Sequence, residues 1–119
     1  MRGLGELEAK VMDVLWSADE PLRVRDVLER LDTGRPLAYT TVMTVLDNLH
    51  GKEYVRRSKA GRAYEYTAAE SREEVGARLL REVLYSSGDT EQVLLHFAES
   101  ATPEESDILR RALRKGKSS

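Results

Sequence analysis

Leu37-Ala38-Tyr39-Thr40-Thr41-Val42-Met43-Thr44-Val45-Leu46-Asp47-Asn48-Leu49-His50 is followed by Glu53-Tyr54-Val55-Arg56-Arg57-Ser58 and Arg62-Ala63-Tyr64-Glu65-Tyr66-Thr67, and within these lines the hydrophobic period changes. From about Ala38 to His50 the spacing is helical: at roughly 100° per residue, Val45, Leu46 and Leu49 fall within about 60° of Val42. Thr40, Thr44 and Asp47 fall on the opposite side, with Met43 and Thr41 on the flanks. The next two runs suit strands, and the second alternates so that Tyr64 and Tyr66 share a face. Lys59-Ala60-Gly61 between them supplies a glycine for a short hairpin loop.

Working backwards, Leu4, Leu7, Val11, Met12 and Leu15 recur at three and four, the period of a one-sided helix extended by Trp16 and stopped before Pro21. Val24, Val27, Leu28 and Leu31 mark a short second helix, ended by Asp32-Thr33-Gly34-Arg35-Pro36. Three helices and a basic hairpin are the order of a winged helix-turn-helix. Working forwards, everything is helical. Glu70 to Ser86 carries Val75, Leu79, Leu80, Val83 and Leu84; Val93, Leu94, Phe97 and Ala98 form the next stripe. Thr102-Pro103-Glu104-Glu105 is a capping-box start for a last helix with Ile108, Leu109, Ala112 and Leu113, and Lys115 to Ser119 is expected to fray. The fold expected is mainly α with a small β-hairpin wing: a winged domain over residues 1–69 and a helical dimerisation domain over 70–119. Three further apolar stripes after a domain with its own core are more hydrophobic surface than a monomer tolerates. A homodimer anchored by Leu79, Leu80, Val83, Leu94, Phe97, Ile108 and Leu109 is therefore expected.

Composition narrows the function. The 119 residues are 40% hydrophobic and 34% charged, room for one domain or two small ones with a modest core. There is no cysteine, which excludes a disulfide framework, a thiolate metal site and a cysteine nucleophile. No apolar run is long enough to span a membrane and Met1-Arg2-Gly3-Leu4-Gly5-Glu6 is no signal peptide, so a cytoplasmic protein is expected. The formal net charge of −2 argues against a non-specific polycation. Yet Lys52, Arg56, Arg57, Lys59 and Arg62 outweigh Glu53 and Glu65 across the hairpin, which permits an anionic partner there.

No phosphate-binding glycine motif occurs, and neither His50 nor His96 is expected to serve as a metal ligand or an acid–base group. A lone helical histidine is ordinarily a packed or surface residue, so no enzyme, no catalytic residue, no metal and no cofactor are expected. The outward face of the third helix is short and hydrogen-bonding with a methyl-rich edge, which suits base edges and phosphates in a major groove. Taken alone it would read as an ordinary solvated face, and basic residues on a hairpin also guard strand edges. The flanking elements shift that balance toward DNA, with Lys59 and Arg62 near the hairpin tip reaching phosphates or the minor groove. Asp47 counts against it, since an outward carboxylate facing phosphates is unfavourable.

Leu7-Glu8-Ala9-Lys10-Val11-Met12-Asp13-Val14-Leu15-Trp16 resembles the opening helix of the penicillinase-repressor family, the bacterial repressors of β-lactamase and methicillin-resistance operons. Val24-Arg25-Asp26-Val27 resembles its second helix, the run from Leu37 to Leu46 its recognition helix, Arg62 to Tyr66 its second wing strand, and Val93-Leu94-Leu95-His96-Phe97-Ala98-Glu99 its dimerisation segment. The resemblance implies a homodimeric repressor covering an inverted-repeat operator in double-stranded DNA, released when antibiotic sensing by a membrane metalloprotease leads to cleavage in the dimerisation domain. It implies base reading and phosphate contacts by Thr40, Thr41, Met43 and Thr44, with Arg62 at a wing position. The chain departs from the family at Arg23, where Ser or Thr usually caps the second helix, and at Lys52-Glu53, where Lys-Gly is common. His96-Phe97 stands where well-known members are cut between Asn and Phe. Copper-responsive relatives carry a C-terminal cysteine cluster, which this chain lacks. Two alternatives differ in mechanism: a winged-helix repressor released by a small ligand, and a winged-helix protein-interaction module with no DNA role.

Overall fold

Ala60 pairs with Ala63, so the hairpin turns on Gly61 and Arg62 alone, with Gly61 in the left-handed region at φ 70°. That places Lys59 and Ala60 inside the first long strand rather than in the loop expected from Lys59-Ala60-Gly61. A computed structural model describes residues 4–117 and carries, in order, α1 (Glu6–Ser17), β1 (Leu22–Arg23), α2 (Val24–Arg30), α3 (Tyr39–Gly51), β2 (Val55–Ala60), β3 (Ala63–Ala68), α4 (Arg72–Ser86), α5 (Thr90–Ser100) and α6 (Pro103–Lys117). The expected class, mainly α with a small wing, is the one observed. One strand escaped the sequence reading: Leu22 and Arg23 pair antiparallel with Tyr66 and Glu65, giving a three-stranded sheet in the order β1-β3-β2. Two residues after a proline carry no readable alternation.

The chain divides into two compact units between Arg78 and Leu79, inside α4. In the first unit, α1 buries Val11, Met12 and Leu15; α2 buries Val24 and Val27; α3 buries Val42, Val45, Leu46 and Leu49. Leu22, Tyr54, Val55 and Tyr66 from the sheet region and Val75 from α4 complete this core. The start of α4 is stitched to the rest of its unit. Trp16 donates its indole N–H to the Glu70 carbonyl at 3.0 Å, Arg72 ion-pairs with Asp13 at 2.6 Å, and Arg78 reaches Glu70 at 2.9 Å.

Helix ends explain two departures noted in the sequence. Arg23 offers α2 no capping oxygen, and the half-cap comes from the other side: the Arg23 N–H donates to the Asp26 carboxylate at 3.0 Å. At the end of α3, the Glu53 N–H donates to the His50 carbonyl and the Tyr54 N–H to the Leu49 carbonyl, the paired bonds of a Schellman turn. That turn needs a left-handed residue, and Glu53 supplies it at φ 66° where glycine would sit without strain. The α1 start is fastened to the α3 end by Glu8, which accepts from the Gly5 N–H and from Lys52 Nζ at 2.8 Å. Burial pushes the Glu8 carboxyl up, but the Lys52 hydrogen bond, the Gly5 N–H and the Lys52 charge together bring it below its ordinary value.

The second unit contributes none of the buried hydrophobic residues. Its helices are nevertheless well started: the Gln92 N–H donates to Asp89, and Thr102 and Glu105 exchange the two bonds of the expected capping box at 2.8 and 3.1 Å. Helix α6 continues to Lys117, past the point where fraying was expected at Lys115; Ser118 and Ser119 lie outside the described residues, as do Met1, Arg2 and Gly3. No helix among the described residues is long and apolar enough to cross a membrane.

Candidate nucleic-acid interface

The burial of Val42, Val45, Leu46 and Leu49 fixes the rotation of α3 about its axis, and the opposite side follows from that. Thr40, Thr41, Met43 and Thr44 are all exposed, in the arrangement the periodicity predicts. Tyr39, in the first turn of the same helix, is exposed beside them. Helical geometry therefore presents three hydroxyls, a thioether and a phenol from two consecutive turns. These groups can donate, accept or touch a methyl, the chemistry that base edges and phosphates require.

The wing adds cations. Lys59 and Arg62 are exposed at and next to the hairpin turn. The register sets Lys59 opposite Tyr64 and Arg57 opposite Tyr66, so these four side chains share one face of the sheet. The Lys59 ammonium lies 5.6 Å from the Tyr64 ring centroid and the Arg57 guanidinium 4.3 Å from it, both within cation–π range. A groove of about 480 Å³ runs between the start of α2, the outward side of α3 and β3, with Arg23, Arg25, Tyr39, Met43, Arg62 and Tyr64 in its walls.

Two carboxylates also face this groove, and both are engaged. Asp26 accepts from the Arg23 backbone, and Asp47 accepts from Arg57 Nη1 at 2.9 Å. The Arg57 guanidinium is held above its ordinary pKa, chiefly by the Tyr66 hydroxyl, with Tyr64 and Asp47 adding to the effect. Asp47 therefore meets a fixed cation of its own chain, which changes the meaning of the outward carboxylate. Arg23 lies 4.0 Å from Glu65 and Asp26 keeps its charge, so Arg25 and Arg62 leave the groove with a modest positive balance.

Of the residues expected at a DNA surface, Met43 and Arg62 come together on the groove, Lys59 joins them through Tyr64, and Thr40, Thr41 and Thr44 line the exposed side of α3 without bordering the groove. Sequence reasoning did not place Tyr39, Arg23 or Arg25 at this surface, and it counted Arg57 only in the basic charge of the hairpin. Arg25 and Tyr39 were readable as outward positions of their helices. The pairing of Arg57 with Asp47 joins two elements across a turn and had no periodic signal.

The residues expected at a dimer surface lie elsewhere. Leu80, Val83, Leu94, Phe97, Ile108 and Leu109 are exposed, with Leu80 at 70% and Phe97 at 50%, and Leu79 is half-buried. His96 and Phe97 sit inside α5, both exposed. No cluster of three or more His, Cys, Asp or Glu side chains among the described residues is arranged to hold a metal ion.

The family described as penicillinase repressor matches residues 4–115. Two proteins called transcriptional regulator BlaI, from Mycobacterium tuberculosis strains CDC 1551 / Oshkosh and ATCC 25618 / H37Rv, are each 46% identical to this chain over 113 residues, covering 92% of it and 82% of their own length. Among solved structures, a MarR/EmrR family transcriptional regulator from Acinetobacter sp. ADP1 aligns over 98% of this chain and 75% of its own, at 22% identity and a TM-score of 0.47. BpsR of Bordetella bronchiseptica aligns over 98% and 76%, at 19% identity and a TM-score of 0.48. The matched family and its curated relatives are regulators and not enzymes, in line with the lack of a catalytic motif in the sequence.

Proposed function

The chain belongs to the penicillinase repressor family, and from that membership we propose a homodimeric repressor that covers an inverted-repeat operator with two copies of the α3 and wing surface. DNA-binding transcriptional repression is the role of the family; the dimer, the operator symmetry and the mode of release are the further steps. The observation that carries the reading is the exposed set Thr40, Thr41, Met43 and Thr44 beside a wing bearing Lys59 and Arg62. We assign DNA binding to residues 1–69 and dimerisation to residues 70–119, with the start of α4 as far as Arg78 packed onto the winged unit and the dimer contacts beginning at Leu79. Leu80, Val83, Leu94, Phe97, Ile108 and Leu109, with Leu79 beside them, anchor the two-fold interface, because hydrophobic surface of this extent is otherwise left in water. The working location is the cytoplasm, where the operator is.

Release follows from the same arrangement. Two linked half-site contacts raise each other's effective concentration, so a cut between His96 and Phe97 weakens binding without touching a base contact. The agent is a membrane sensor metalloprotease responding to an antibiotic. Proteolysis needs extended backbone and His96-Phe97 lies within α5, so cleavage waits on local opening of that helix.

The test is binding of the full chain to promoter DNA and to random duplex across a salt series. Thr40→Ala or Thr44→Ala is expected to lose on the order of 1 kcal/mol at the operator and little on random DNA. Arg62→Ala is expected to weaken both and reduce the salt slope by about one. Threonine variants indistinguishable from the parent on both DNAs contradict the assignment of α3. Co-expression with the sensor protease and antibiotic, read by fragment mass, tests the release step: a fragment ending at His96 supports it, and an intact chain that leaves its operator points to ligand-driven release.

A further inference from the structure

Asp47 occupies a position where a carboxylate should harm a DNA-binding helix. It lies one turn beyond Met43 and Thr44 on the exposed side of α3 and borders the groove that Arg62 and Tyr64 also line. A bare carboxylate there repels phosphates. The structure gives it a partner instead: Arg57 of β2 donates to it at 2.9 Å. Arg57 is itself held from behind, its guanidinium 4.3 Å from the centroid of Tyr64, whose ring lies 6.4 Å from that of the buried Tyr66. The Arg57 side chain is only 26% exposed. Helix, arginine and tyrosine thus form one strut from the reading helix to the wing.

An arginine in the first wing strand, within hydrogen-bond reach of the reading helix, is well placed to take a phosphate. A phosphate contact of this kind strengthens binding to every sequence alike. Asp47 competes for the same guanidinium, as a carboxylate of the same chain at fixed distance. We propose that Asp47 is a specificity-determining, positioning residue of the DNA surface: by holding Arg57 against Tyr64 it ties α3 to the wing and withholds that cation from sequence-independent contact with the backbone. This rests on the DNA-binding reading above. Its consequence is opposite to that of an ordinary contact residue, since losing Asp47 strengthens binding to the wrong DNA.

The experiment uses the full chain, a duplex that the chain itself selects from a random pool, and a random-sequence duplex of equal length, each titrated across a salt series. Asp47→Ala is expected to bind the random duplex roughly three- to ten-fold more tightly, with a salt slope steeper by about one, so that the preference for the selected site falls. Asp47→Glu restores the parent slope. In an Arg57→Ala background, Asp47→Ala is expected to leave the slope unchanged. Thermal melting of each variant checks that it is folded, and Asp47→Asn replaces Asp47→Ala if the latter is not. A slope that steepens equally with and without Arg57 overturns the proposal, because Asp47 then acts as a free surface charge. Equal loss of affinity on both duplexes overturns it too, leaving Asp47 a structural residue. A selection that converges on no site, with no binding to either duplex at low salt, overturns the DNA reading itself.

Discussion

Leu46 in α3 and Phe97 in α5 both lie on apolar stripes spaced by three and four residues, yet Leu46 is fully buried and Phe97 is 50% exposed. The same contrast holds for the units that contain them. Residues up to Arg78 enclose a core drawn from α1, α2, α3, the sheet and Val75; the residues from Leu79 onward add nothing to it, and Leu80, Leu94, Leu95, Ile108 and Leu113 stand largely in water. An amphipathic stripe states that a face must be covered, but not by what. In the winged unit the cover is the rest of the chain. In the C-terminal unit the proposed homodimer supplies it from a second copy of the chain, which on that reading joins function to oligomeric state.

The largest expected effect comes from charging the uncovered face. Leu94→Glu combined with Phe97→Glu places carboxylates where the dimer interface is proposed and should abolish dimerisation. Operator affinity should then fall about 100-fold or more, because the two half-sites no longer share an effective concentration. The winged unit should be unharmed, which the fluorescence of Trp16 can report, since this sole tryptophan joins α1 to Glu70. If affinity and Trp16 emission change together, the two regions are not independent.

Removing cover inside the winged unit should act on stability instead. Leu46→Ala leaves a cavity among fully buried neighbours and should cost about 2–5 kcal/mol in urea unfolding. The dimerisation constant of the surviving folded fraction should be unchanged, measured at a urea concentration below the transition.

How much of this was legible is best judged residue by residue. The four buried positions of α3 and the exposure of Thr40, Thr41, Met43 and Thr44 follow from period alone, because a helix fixed by one buried side has no freedom in the other. The capping box at Thr102 and Glu105 is a local motif and was readable as such. What could not be read depends on pairings across space. Strand β1 exists only because β3 offers it an edge, the Lys59 loop position moved because register and not composition set the turn, and Asp47 looked unfavourable because Arg57 lies on another element. Left-handed backbone at Glu53 was also hidden, since that residue seldom adopts it.

Two smaller effects sharpen the description of the winged unit. Glu8 is held below its ordinary carboxylate value, 4.5, so its stabilising contribution is present above that pH and is lost as pH falls through the lower folded value. Urea unfolding should accordingly find Glu8→Gln less stable than the parent by about 1 kcal/mol near neutral pH, with the gap closing in acid. A gap that widens in acid would have the wrong sign for the Glu8–Lys52 bond. Glu53→Gly should stabilise the unit by about 1 kcal/mol or less, since glycine takes the left-handed turn without strain but gives up more entropy on folding. A destabilised Glu53→Gly variant would mean that the turn at the end of α3 relaxes in solution.

Sedimentation equilibrium of the unmodified chain, without DNA and at micromolar concentration, goes most directly to the difference between the two units. The expected result is a single species of twice the 13.5 kDa chain mass, reduced to the chain mass by the Leu94→Glu and Phe97→Glu pair. A stable 13.5 kDa monomer for the parent chain would contradict it.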